Sequence, residues 1–85
     1  MKPDLSVIVP SRNEMFLSKT IESLLKNIRG NTEIIVVLDG EWSDPPVPDN
    51  DRITLVYNPV SVGQRTAQNQ AARLSRAKYL MKLDA

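Results

Sequence analysis

The sequence predicts an α/β fold, a mainly parallel sheet of about four strands with two helices. Two short β-branched runs, Leu5–Val9 closed by Pro10 and Glu33–Leu38 closed by Asp39-Gly40, are the first indication. Such continuous apolar runs suit strands buried on both faces, as parallel strands are. The second indication lies between them, where Leu17, Ile21, Leu24, Leu25 and Ile28 recur at intervals of three and four. The third is a repeat of the same strand, helix, strand order in the second half of the chain.

Taken in order, the first run gives a strand and the three-and-four spacing gives an amphipathic helix. Lys26 and Arg29 fall in its last turn and Gly30 stands just beyond as a stop. The run from Glu33 makes the second strand, and a strand–helix–strand crossover of this kind is right-handed in about 98% of cases. The segment from Asp39 to Arg52 holds three prolines and five of the ten acidic residues and reads as a loop. Ile53–Tyr57 gives a third strand ended by Asn58-Pro59. Gln64 to Ala77 favours helix, with a narrow face of Ala67, Ala71, Leu74 and Ala77 suited to close approach to a sheet. Tyr79–Leu83 gives a fourth strand that delivers Asp84 at its carboxyl end.

Composition excludes several chemistries. The chain has 85 residues, one small domain, and a chain of this size buries only about 60 to 65% of the surface it exposes when unfolded. It has no cysteine and no histidine, so thiolate sites, disulfides and imidazole chemistry are absent. Catalysis would have to use carboxylates, hydroxyls or an oxygen-bound metal. A net charge of +1 gives no basis for nucleic-acid binding. The first apolar run is too short for a membrane span and lacks a signal-peptide pattern, so a cytoplasmic location is expected.

In open α/β sheets ligands bind beyond the carboxyl ends of the strands, where the strand order reverses. That directs attention to Pro10–Glu14, Asp39–Asp44, Asn58–Arg65 and Asp84. Read together, Ser6-Val7-Ile8-Val9-Pro10-Ser11-Arg12-Asn13-Glu14, Glu33–Gly40, Gly63 with Asn69, and Tyr79–Ala85 resemble, in order and spacing, the motif series of family 2 glycosyltransferases of GT-A fold. The resemblance spans nearly the whole chain and implies a partial GT-A, Rossmann-like domain with strand order 3-2-1-4. It further implies the nucleotide-sugar-binding half of an enzyme that moves a sugar from an activated donor, a UDP-sugar, to an acceptor.

Carried over by position, the resemblance implies that Pro10, Ser11, Arg12 and Asn13 line the base and ribose pocket. Asp39 would accept a hydrogen bond from the base, and Asp84 would be the first acid of a D-x-D-like motif that holds a divalent cation, Mn²⁺ or Mg²⁺. Chemistry agrees with both roles: a fixed carboxylate reads the N–H of a pyrimidine, and a hard cation on carboxylate oxygens stabilises a departing diphosphate. Arg65, a cation in the first turn of a helix, is a further candidate for donor contact. On this reading the chain stops within the D-x-D-like motif, contains no catalytic residue, does not hold the cation stably and does not transfer sugar alone. Its exposed fourth strand would favour self-association.

Plainer roles stand beside these. Asp39-Gly40 alone is a turn signal, and the family often has two acids where this chain has Leu38-Asp39. Ser11 and Glu14 fit a helix capping box. Trp42 suits a packing anchor in a long connection, Gly63 a turn, Asn69 a structural bond, and Arg73, Arg76 and Lys78 a solvated face. Two further functional classes are a non-catalytic nucleotide-binding module and a flavodoxin-like interaction module, neither of which explains the order of the motifs.

Overall fold

The computed structural model describes residues 3–11, 17–28, 30–40, 47 and 50–83. Four strands, β1 (Leu5–Ser11), β2 (Thr32–Asp39), β3 (Ile53–Asn58) and β4 (Tyr79–Lys82), form one parallel sheet in the order β3-β2-β1-β4. Helices α1 (Leu17–Asn27) and α2 (Gln64–Leu74) make the connections between β1 and β2 and between β3 and β4. The predicted fold class, strand order and helix count are those observed. Because β2 and β3 run parallel, Asp39-Gly40 does not turn a hairpin.

The period-two alternation of the strands divides the core between two faces. On one face Val7, Val9, Ile34, Val36 and Leu38 meet Leu17 and Ile21 of α1. On the other Ile8, Ile35 and Val37 meet Ala67 and Ala71 of α2. The small side chains let the backbone of α2 lie close to β1 and β2, whereas α1 reaches the sheet through longer residues.

β2 extends one residue beyond the predicted run at each end and β3 takes in Asn58, and three further boundaries differ from those read in the sequence. First, β1 continues through Pro10 to Ser11. Tyr79 N–H donates to the Asp4 carbonyl at 3.0 Å and Leu83 N–H to the Ile8 carbonyl at 2.8 Å, so the even-numbered backbone groups of β1 face β4. Pro10 is next in that row and has no N–H to offer Leu83. Pairing with β2 nevertheless runs on to Ser11↔Leu38, while pairing with β4 ends at Ile8↔Lys82. Pro10 therefore ends the ladder on one side only.

Second, α2 ends at Leu74 rather than Ala77. Ser75 is extended, at φ −66° and ψ 138°. The Ser6 hydroxyl donates to Glu33 Oε1 at 2.6 Å, so at the 2.6 Å contact between Ser6 and Ser75 the Ser75 hydroxyl is the donor. The Ser75 oxygen in turn accepts the N–H of Ala77 at 3.1 Å. That chain of bonds ties the end of the helix to β1, leaves Ala77 outside it and leaves Leu74 half exposed. Third, β4 ends at Lys82, one residue short of the predicted Leu83.

Candidate functional site

Strand order reverses at β1: the chain steps from β1 to β2 and β3 on one side, then crosses through α2 to β4 on the other. At the carboxyl end of β1 the strand pairing with β4 ends at Ile8↔Lys82, while that with β2 runs on to Ser11↔Leu38. Ser11 closes β1 there, buried and opposite Leu38. Its predicted neighbours Arg12 and Asn13, and Glu14, the expected capping partner, lie outside the described residues, as do Trp42 and Asp84.

Asp39 closes β2 at the same end of the sheet and is only 4% exposed. Oδ1 accepts the backbone N–H of Val62 at 2.9 Å and the Asn58 amide at 3.3 Å. Oδ2 accepts the Ser61 hydroxyl at 2.8 Å and the N–H of Gly63 at 3.0 Å. Burial raises the carboxyl pKa, but the donors from Val62, Ser61, Gly63 and Asn58 together outweigh it and hold the group below its ordinary value. Asp39 is thus a buried anion neutralised by hydrogen bonds.

A carboxylate offers about four acceptor positions, and here each is taken by a donor of its own chain. As arranged, Asp39 fastens the segment between β3 and α2 to the end of β2; reading a base N–H would require it to give up one of those contacts. Asn58 extends the network, donating to Gln70 Oε1 at 2.8 Å and so joining β3 to α2. The Asp39-held segment ends on Gly63, the N-cap of α2, at φ 90° and with no side-chain cap bond. Arg65 is exposed in the first turn that follows.

Close approach is enforced on the other side of Asp39. Gly40 lies at φ 92°, where a Cβ would sit 3.1 Å from Ser61 Cβ. Alanine here meets both a disfavoured left-handed backbone and a crowded neighbour, so Gly40→Ala is expected to cost about 1–3 kcal/mol. A fall in the urea midpoint at unchanged slope would register it.

Sequence reasoning places Asp39 and the Asn58–Arg65 segment at this end, but it assigns Asn58 and Ser61 no bond to Asp39 and does not single out Gln70. Asn58 was read as a strand terminator, and a structural bond was expected of Asn69, which is exposed, whereas its neighbour Gln70 makes one. The serine and the glutamine carry no sequence signal of their own, since their partners lie 12 to 22 residues away. Among the described residues no three acidic side chains gather, and the oxygens of Asp39 are already engaged.

The parallel sheet in the order β3-β2-β1-β4 and the two helices define an α/β domain of Rossmann-like arrangement, with a polar network at the carboxyl end of β2. The model of the family described as glycosyl transferase family 2 matches residues 6–85, and the chain belongs to that family. It is similar to an uncharacterized glycosyltransferase of Methanocaldococcus jannaschii, 29% identical over 93 residues that take in 99% of this chain and 32% of the relative. The chain thus spans about a third of that relative's length. No helix of the described residues is long and apolar enough to cross a membrane.

Proposed function

We propose that this chain is the nucleotide-sugar-binding part of a glycosyltransferase domain, with a UDP-sugar as donor and with recognition carried by Pro10, Ser11, Arg12, Asn13, Asp39, Arg65 and Asp84. The observation that supports it most is the reversal of strand order at β1, where Pro10 stops the pairing with β4 beside the end of β2. A switch point of that kind is where open α/β sheets take their ligands. The Pro10–Asn13 segment contacts the base and ribose. Asp39 acts on the nucleotide through the segment it holds, by fixing where Gly63 and the start of α2 stand.

Arg65 extends a guanidinium from that start and neutralises part of the diphosphate charge. Asp84 supplies one carboxylate toward a divalent cation, Mn²⁺ or Mg²⁺, whose chemistry would be to stabilise the departing diphosphate. Donor binding, rather than transfer to an acceptor, is the step assigned to this chain.

Calorimetric titration with UDP, GDP, ADP and uridine, with and without Mn²⁺, tests this. UDP should bind more tightly than the other diphosphates. Arg65→Ala, an exposed change that leaves the fold intact, should weaken UDP by about tenfold, equivalent to about 1.4 kcal/mol, and leave uridine unaffected. Absence of binding by every diphosphate at millimolar concentration, with the chain folded by circular dichroism, would overturn the proposal.

A further inference from the structure

Little apolar surface holds α2 to the sheet. Among its described residues Ala67 and Ala71 are the fully buried ones, packed on Ile8, Ile35 and Val37, and two methyl groups bury far less than the leucine and isoleucine that α1 inserts. Alanines let the helix come close but do little to keep it from turning about its own axis. Polar ties set its position instead. Before its first turn the N–H of Gly63 donates to Asp39 Oδ2 at 3.0 Å, and just past its last turn Ser75 meets Ser6 at 2.6 Å. Two ties at the ends define the line of a helix and leave its roll free. The third tie is lateral, where Gln70 meets Asn58 of β3.

Chemistry fixes how these two amides face. A carboxylate oxygen only accepts, so the Asn58 atom 3.3 Å from Asp39 Oδ1 is the nitrogen. The same nitrogen donates to Gln70 Oε1 at 2.8 Å, and Gln70 Nε2 returns a longer bond to Asn58 Oδ1 at 3.4 Å. Flipping either amide would set like groups against each other, so the charge of Asp39 orients Asn58 and Asn58 orients Gln70. Asn58 is also the register partner of Asp39 across β2 and β3. One buried carboxylate therefore holds α2 in two places, through the backbone at Gly63 and through a pair of amides about two turns farther on.

We propose, on the reading of Arg65 as a diphosphate contact, that Asn58 and Gln70 are positioning residues for the donor: by fixing the roll of α2 they hold the Arg65 guanidinium against the phosphate oxygens. A roll of about 10° moves a group carried about 8 Å from the helix axis by about 1.4 Å, enough to break a paired contact between guanidinium and phosphate. Neither amide touches the ligand. The base and ribose, assigned to the β1 end of the sheet, do not sense the roll.

Gln70 is half-buried, and Gln70→Met keeps the length of its side chain while removing the amide. In calorimetric titrations this variant should bind UDP about three- to fivefold more weakly, the size of coupling expected between groups that share a network, and should bind uridine as the parent does. In the Arg65→Ala background Gln70→Met should weaken UDP no further, because no guanidinium remains to be misplaced. Gln70→Ala, the better helix former, should give the same pattern, and each variant should keep the parent's circular dichroism. A pair that only stabilised the fold would weaken UDP and uridine alike, or weaken UDP as much without Arg65 as with it. Either result, or UDP binding unchanged in both Gln70 variants, would overturn the proposal and leave the reading of the site standing. A folded parent that binds no diphosphate would overturn both.

Discussion

Replacing Ile21 by alanine should cost about 2–5 kcal/mol, enough to leave much of the chain unfolded. Domains of this size are stable by only about 4–13 kcal/mol in all. Ile21 is fully buried and, with Leu17, is the part of α1 inserted among Val7, Val9, Ile34, Val36 and Leu38. Ile21→Val should cost only about 0.5–1.5 kcal/mol. Leu74→Ala, half exposed on α2, should stay within about 0.5 kcal/mol. Urea titrations followed by circular dichroism rank the three; a midpoint for Ile21→Ala no lower than that for Leu74→Ala would contradict the packing described.

Local pattern carries most of this fold and little of its site. The β-branched runs at Leu5 and Glu33 and the spacing from Leu17 to Ile28 are local signals, and the elements they predict are present. The order of the strands is not local, and it came with the family resemblance. The early end of α2 depends on Ser75 meeting Ser6, 69 residues away, which no window around Ala77 contains. Pro10 illustrates the reverse. Read as a stop, it does stop a ladder, but only on the β4 side, because a proline removes one donor and the other neighbour never needed it. The position of Asp39 was legible from the run that ends on it. Its engagement was not, since its donors come from Asn58 to Gly63, up to 24 residues later.

Asp39 therefore carries the second large prediction. Asp39→Ala leaves the N–H groups of Val62 and Gly63 and the hydroxyl of Ser61 without their acceptor. A hydrogen bond to a charged group contributes about 1.5–3 kcal/mol, and water entering at the exposed side offsets part of the loss, so the expected cost is about 2–4 kcal/mol. Asp39→Asn keeps the shape and one acceptor oxygen but turns an amide donor toward a donor, and its cost should be smaller. The folded-state pKa of Asp39 is depressed, so its contribution is complete above the unfolded value of 3.8 and is lost as pH falls through the lower folded value. The stability gap between parent and Asp39→Asn should accordingly be constant near neutrality and close at pH values below about 4; a gap independent of pH would show that the charge plays no part. Nucleotide binding then separates the two roles open to this carboxylate. If Asp39 positions the segment before α2, Asp39→Asn weakens UDP, GDP and ADP by a similar factor. A carboxylate that reads the base would instead lose the preference for UDP and keep its affinity for the others, and that result would return Asp39 to direct contact with the ligand.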